Sequence, residues 1–180
     1  MKLFKYAILS LLLLLISACA TRKIQIAKNQ QKIIKKDSAL IAHTFYLIGD
    51  AGNSTLTKNA PALDYLKKHL IKASKKSTLI FLGDNVYETG IPDKQSKNYP
   101  LAKRRIDAQT DVAKLFKGNS IFIPGNHDWY NGLDGLKREE KLVENALGKN
   151  SFLPENGCPL KKFEISKDIV LIIVDTHWYV

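Results

Sequence analysis

Short apolar runs alternate with amphipathic segments through most of the chain. The runs begin near Thr44, Ser77 and Asn119, and each ends on a glycine followed by a polar residue. A short, continuously apolar run is typical of a strand buried on both faces, as in a parallel sheet. The segments between the runs carry apolar residues at helical spacing. The pattern therefore predicts an α/β fold over residues 44–180.

Three helices are predicted from the spacing of apolar residues. The first begins at Pro61, because proline favours a first helical turn, and the second spans residues 101–116. The third spans residues 136–148, with Gly148 as its expected C-terminal cap. The expected buried positions are Leu63, Leu66 and Leu70 in the first helix, and Leu101, Ile106, Val112 and Leu115 in the second.

The first 18 residues are not expected to belong to the fold. Two lysines precede the apolar stretch 7–18, which is shorter than the roughly 20 residues of a membrane-spanning helix. Small residues then lead to Cys19 in the string "ISAC", which is similar to a bacterial lipoprotein signal. Cys19 would then become the lipidated N-terminus, and an ordinary secretory signal is the alternative.

Residues 19–43 are expected to form a lipidated, basic tether. Segment 22–36 holds six basic residues and no acidic one, in a chain of net charge +11. It would either lie on an anionic membrane surface beside the lipid or act as a solvated linker. No aromatic residues interleave these charges, so no nucleic-acid partner is expected. The predicted location is an exported, membrane-anchored lipoprotein, periplasmic or on the cell surface.

Metal-type ligands follow three of the predicted strands. They occur in "GDAG" (49–52), "GDNVY" (83–87) and "GNHDW" (125–129). Because ligands in α/β sheets collect beyond the carboxyl ends of the strands, we expect these side chains to meet. One Gly-Asp pair is an ordinary turn, but three motifs at successive strand ends, which hold two aspartates, an asparagine and a histidine, favour a metal site. Oxygen ligands with a bridging carboxylate suit two hard or borderline ions.

This set of motifs resembles the metallophosphoesterase (calcineurin-like phosphoesterase) superfamily and, more narrowly, its purple acid phosphatase branch. The usual first motif of the superfamily is Asp-x-His, whereas this chain has glycine at position 52. Purple acid phosphatases lack the same histidine and place a tyrosine in Gly-Asp-x-x-Tyr, which residues 83–87 match. The missing histidine at position 52 and the tyrosine at position 87 imply each other, so the pair identifies the branch more specifically than either motif alone. The resemblance covers residues 44–180.

The resemblance implies a dinuclear metal centre with defined ligands. Asp50 and Tyr87 would bind the first ion, Asp84 would bridge both ions, and Asn126 would bind the second through its side-chain oxygen. A deprotonated phenol is a hard, anionic donor that favours ferric iron. The cofactors would therefore be Fe(III) and a divalent iron, zinc or manganese ion.

The resemblance also implies the catalytic residues and the reaction. His127 would contact the phosphate and protonate the leaving oxygen, and Asp128 would orient its neighbours without binding a metal. The substrate would be a phosphate ester, in this branch mostly a monoester.

Part of the family pattern does not occur in these 180 residues. The family completes its site with further histidines, including a Gly-His-x-His motif that this sequence lacks. We therefore expect the N-terminal part of an αββα sandwich, with the first sheet and its helices present and the second sheet largely absent. The sequence would be a truncated gene or a fragment, inactive alone. Two functions remain open, a lipid-anchored phosphatase and a non-catalytic surface lipoprotein that keeps the half-domain for binding or structure.

The remaining histidines match no ligand motif. His43 and His69 are expected at the surface. A Ser-Lys-Asp turn between residues 161–165 and 169–180 predicts a terminal antiparallel pair of strands. His177 would end the last strand, at the edge that carries the metal ligands, and would line the site.

Overall fold

The computed structural model describes residues 41–179. The predicted signal sequence, Cys19 and residues 20–40 of the tether lie outside this range. No helix within residues 41–179 is long and apolar enough to cross a membrane. The described residues form the predicted α/β fold, in which a parallel sheet is flanked by helices and followed by a two-stranded sheet.

The elements follow the predicted alternation of strands and helices. Short 3₁₀ turns at His127–Asn131, Glu155–Gly157 and Thr176–Tyr179 connect some of them. The strands and α-helices, in chain order, are β1 (Thr44–Ile48), α1 (Pro61–Leu70), β2 (Ser77–Phe81), α2 (Tyr99–Ala113), β3 (Asn119–Phe122), α3 (Gly132–Leu147), β4 (Leu160–Ser166) and β5 (Ile169–Val174).

The first three strands form one parallel sheet in the order β1-β2-β3. The register places Ile48 beside Phe81 and Phe81 beside Phe122, so the three strands end at the same level. The rings of Phe81 and Phe122 stack with centroids 4.1 Å apart. Because the strands are parallel and end together, the loops that follow them begin side by side. This register brings the three predicted motifs to one edge of the sheet.

The central strand β2 is buried along its whole length, as predicted for a strand covered on both faces. In β1, however, Phe45 and Leu47 are 37% and 59% exposed. Successive residues of a strand point to opposite faces, so these two share the face away from the helices. The β4–β5 hairpin covers that face near Ile121 of β3, through Ile173. The prediction of two buried faces is therefore wrong for β1.

The helices differ from the prediction mainly at their ends. Helix α2 stops at Ala113, so Leu115 lies beyond it and is 45% exposed, whereas Phe116 is buried. The predicted burial of Leu115 is therefore wrong. Helix α3 begins at residue 132, four residues before its predicted start. Gly148 has a φ of 98° directly after α3, which confirms it as the C-terminal cap.

The terminal antiparallel pair forms as predicted, but its second strand is shorter. Strand β5 pairs with β4 and ends at Val174, and Thr176–Tyr179 then forms a 3₁₀ turn. His177 therefore lies in this turn and does not end a strand. Along β5, Ile173 is buried whereas Ile172 is 61% exposed, so the strand has only one covered face in the described structure.

Phe81 should be a principal source of stability, because it is fully buried in the central strand. We expect Phe81→Ala to lower the free energy of unfolding by about 3–5 kcal/mol, the usual cost of emptying a buried aromatic site. Phe45→Ala, on the exposed face of the same sheet, should cost about 1 kcal/mol or less. Urea unfolding of both variants measures the difference, and equal losses would contradict the described core.

Candidate metal centre

The loops after β1 and β2 are joined by backbone hydrogen bonds. Asp50 N–H donates to the Gly83 carbonyl at 3.1 Å, and Gly52 N–H donates to the Asp84 carbonyl at 3.0 Å. Tyr87 N–H then donates back to the Gly52 carbonyl at 3.1 Å. These bonds hold the first two motifs against each other at fixed spacing, independently of any side chain.

Both strand-end aspartates have a left-handed backbone. The φ of Asp50 is 56° and that of Asp84 is 53°. An L-residue in this region costs about 1–3 kcal/mol and persists only where its surroundings enforce it, typically at functional sites. The same unusual turn at two adjacent strand ends aims both carboxylates at a common point, where the Tyr87 hydroxyl contacts each of them.

The phenol of Tyr87 lies between the two carboxylates. Its oxygen is 2.5 Å from Asp50 Oδ1 and 2.8 Å from Asp84 Oδ2. The hydrogen bond to Asp50, followed by burial and the bond to Asp84, raises the pKa of Tyr87 above its usual range. One proton is thus shared among three hard oxygen donors. A cation at this point would replace that proton and neutralise the two carboxylates, so the donor set fits a metal ion.

Gly52 leaves no room for a side chain. A Cβ at this position would lie 2.3 Å from the backbone carbon of Asn85, a distance that real Cβ atoms essentially never show. A histidine at position 52 would therefore have to displace the second motif. The loop that carries Gly52 thus packs directly against the loop that carries Tyr87, and the Tyr87 side chain enters the site from this second loop.

The third motif brings Asn126 and His127 to the same edge. His127 N–H donates to Asp84 Oδ1 at 3.3 Å, and Asn126 Nδ2 donates to the Tyr130 hydroxyl at 2.8 Å. The His127 ring lies between the rings of Tyr87 and Tyr130, with centroids 4.6 and 4.8 Å away. Its Nδ1 is 2.6 Å from the Glu88 carbonyl oxygen, which can only accept, so Nδ1 carries a hydrogen. The other ring nitrogen, Nε2, is therefore the atom that could exchange a proton with a substrate.

Asp128 is fully buried and connects the second and third loops. Its carboxylate accepts hydrogen bonds from Val86 N–H at 2.9 Å, Gly125 N–H at 2.8 Å and Asn85 N–H at 3.2 Å. Burial raises the pKa of Asp128 to about 6, and the backbone donors oppose that rise. Asp128 therefore holds the second and third loops against each other through its backbone hydrogen bonds.

Glu139 of α3 is a buried acid that the sequence reading missed. It is fully buried beneath Asp128, and both burial and the Asp128 charge raise the pKa of Glu139 well above the ordinary value. A neutral Glu139 would be a hydrogen-bond donor beside two acceptors, Asp128 and Asn85. The sequence does contain a signal for this burial, because the spacing of Glu139 from Leu136 and Val143, both buried, places it on the same apolar face of the helix. A charged residue on an apolar helix face indicates a polar partner underneath.

A cleft opens beside the two aspartates. Its volume is about 480 Å³, and Asp50, Asp84 and Asn126 lie in its wall together with His177 from the turn after β5.

Of the other histidines, His69 is exposed as expected, whereas His43 is half-buried and its Nε2 lies 3.0 Å from Thr78 Oγ1.

The structure brings most of the predicted site residues, but not all of them, close to one another. Asp50, Asp84 and Tyr87 are in direct contact, His127 contacts Asp84 through its backbone, and Asn126 shares the cleft. Among residues 41–179, no three His, Cys, Asp or Glu side chains are close enough together to hold a metal ion. An ion bound at this edge would therefore need other oxygen donors as well, such as the phenol of Tyr87 or the amide of Asn126.

Comparison with known protein families shows which family the chain belongs to. The sequence model of the calcineurin-like phosphoesterase family matches residues 43–173. The match spans most of the chain, which therefore belongs to the calcineurin-like phosphoesterase family. Members are metal-dependent hydrolases of phosphate esters and usually bind two metal ions. No curated protein and no solved structure matches the chain.

Asp128→Asn should destabilise the site, because an amide has one acceptor oxygen where the carboxylate has two. At least one buried backbone N–H would lose its acceptor, at a cost of about 1–3 kcal/mol in the free energy of unfolding. Asp168→Asn is the matched control, since Asp168 is exposed in the β4–β5 turn. Denaturant unfolding of both variants measures the cost, and equal stability would contradict the bracing role.

Proposed function

We propose that this protein hydrolyses phosphate monoesters at a dinuclear centre of the purple acid phosphatase type. The observation that carries the proposal is the complementary pair Gly52 and Tyr87. The backbone excludes a side chain at position 52, and the phenol of Tyr87 lies against both strand-end carboxylates. In a phosphoesterase that has glycine at position 52 and tyrosine at position 87, a phenolate takes the place of an imidazole as metal ligand.

The residues divide into two ligand sets that share one carboxylate. Asp50 and Tyr87 would hold the first ion, proposed to be Fe(III), and Asp84 would bridge to the second. Asn126 would hold the second ion, a divalent iron, zinc or manganese. Once bound, the two ions would supply Lewis-acid polarisation of the phosphoryl group and activation of the attacking water. The protein holds these donors at three adjacent loops, so little reorganisation accompanies substrate binding.

His127 is the residue proposed to move a proton. Its Nδ1–H is held by the Glu88 carbonyl, so Nε2 is the atom that would face substrate. In the protonated ring, Nε2–H donates to the leaving oxygen, and the Glu88 carbonyl stabilises the positive charge. Packing between Tyr87 and Tyr130 fixes the plane of the ring, so the direction of the proton is defined before substrate arrives.

Tyr87→Phe tests the branch assignment directly. We expect the full-length, iron-loaded protein to show a visible phenolate-to-iron charge-transfer band and the variant to lose both the band and iron. Removing a metal ligand should weaken iron retention by more than the 10–100-fold typical of residues that only support ligands. Tyr65→Phe is the control, because Tyr65 is exposed on α1. An iron-loaded wild type without the band, or a Tyr87→Phe variant that keeps it, excludes a phenolate ligand.

We further propose that the phosphatase is exported and anchored to a membrane through Cys19. The supporting features are the charged start, the short apolar segment 7–18 and the small residues before the cysteine. The basic segment 22–36 would add electrostatic attraction to an anionic surface. An enzyme held there would act on phosphate esters outside the cytoplasm.

Cys19→Ser should abolish lipidation while leaving export intact, because only the thiol is acylated. Metabolic labelling with a fatty acid, followed by fractionation of membranes, would show an unlabelled protein released from the membrane fraction. Cys158→Ser is the matched control for a cysteine within the fold. Undiminished labelling of the Cys19 variant would reject the anchor.

A further inference from the structure

His177 borders the cleft that the proposed metal ligands share, and nothing in the ligand motifs assigns it a role. The cleft is lined by Asp50, Asp84, Asn126 and His177, among other residues. His177 is the one basic side chain in the wall of this cleft, as far as residues 41–179 define it. His127 does not line the same cleft. An anion that enters here meets two carboxylates and a single imidazole.

The turn that carries His177 is braced from inside the protein. Asp175, 1% exposed, accepts a hydrogen bond from the His177 N–H at 3.1 Å through Oδ1. Its Oδ2 accepts one from Trp129 Nε1 at 2.7 Å, and its own N–H donates to the Pro159 carbonyl at 3.0 Å. Each oxygen of the buried carboxylate is thus used to hold the turn. These hydrogen bonds fix the backbone of the turn and therefore the position from which the His177 side chain extends.

The brace connects His177 to the third metal-site loop. Trp129 lies in the same 3₁₀ turn as His127, two residues after it, and its indole packs with the His177 ring at a centroid distance of 6.1 Å. Asp175 therefore joins the turn after β5 to the turn that holds the proposed acid. The two histidines are positioned by one connected set of contacts, although they are 50 residues apart in the chain.

The position of His177 fits a substrate contact better than a metal ligand. No three His, Cys, Asp or Glu side chains in the described part of the chain come close enough to hold an ion, so His177 does not join Asp50 and Asp84 in such a group. It lies within the cleft wall but apart from their common point. An imidazole N–H there suits a charged oxygen acceptor that sits in the cleft, such as a phosphate.

We propose that His177 binds the substrate's phosphoryl group by donating an imidazole N–H to one of its anionic non-bridging oxygens. This role rests on the proposed phosphatase function. His177 is a positioning and specificity residue in addition to the proton donor His127. Esters that carry a dianionic phosphate benefit most from this contact, which favours monoesters over diesters.

The test compares His177→Ala, His177→Gln and His69→Ala in the full-length, metal-loaded protein. His69 is an exposed histidine of α1 and serves as the matched control. The probes are inorganic phosphate as a competitive inhibitor and an aryl phosphate as substrate. We expect His177→Ala to weaken phosphate inhibition by about 10–100-fold, the range for a hydrogen bond to a charged group, and to raise KM more than it lowers kcat. Glutamine retains an N–H donor and should restore part of the affinity.

Metal content and unfolding midpoint are measured on the same samples. Both should match the wild type and the His69→Ala control, since the proposed contact involves substrate alone. Unchanged phosphate inhibition in His177→Ala would overturn the proposal, and so would loss of an ion, which would make His177 a ligand. A wild-type protein that binds neither metal nor phosphate would instead reject the proposed function itself.

Discussion

The geometry of the site depends on one buried carboxylate. Asp128 accepts backbone hydrogen bonds from both the β2 loop and the β3 loop, and these two loops carry Asp84, Tyr87 and Asn126. A parallel sheet brings the loops to one edge but does not fix their relative height or direction. The carboxylate does so, because two oxygens can accept several N–H groups from different segments at once. Burial without these donors would be costly, so the carboxylate and the loops stabilise one another.

The arrangement concentrates acidic groups and strained backbone in a small volume. Asp50 and Asp84 have left-handed backbones, Tyr87 is held in its protonated form by two carboxylates, and Glu139 lies buried beneath Asp128. The left-handed backbones and the buried acids are each unfavourable by themselves, whereas the hydrogen bonds of Tyr87 to the two carboxylates offset part of this cost. A cation bound between Asp50 and Asp84 would relieve the repulsion between these carboxylates, so metal binding would also stabilise the fold.

The replacement of a histidine by glycine and tyrosine has a physical basis in the contact between the first two loops. Gly52 approaches the Asp84–Asn85 backbone so closely that no Cβ fits, and the bond from Tyr87 N–H to the Gly52 carbonyl depends on that approach. The same closeness places the Tyr87 side chain over both aspartates. The hydrogen bond from Trp129 to Asp175 joins the third loop to the turn that carries His177, a residue of the cleft wall.

The sequence by itself determined the α/β class, the three strand-end motifs and the Gly52–Tyr87 pair, because these depend on short-range patterns and on chain direction in a parallel sheet. Tertiary structure alone decided the exposed face of β1, the exposure of Leu115, the turn that carries His177 and the burial of Glu139 and Asp175. Each of these depends on which distant segment covers a residue. Periodicity indicates whether a residue faces inward or outward on its own element. The partner of a buried acid is distant in the sequence, as for Asp175 and Trp129, which are 46 residues apart.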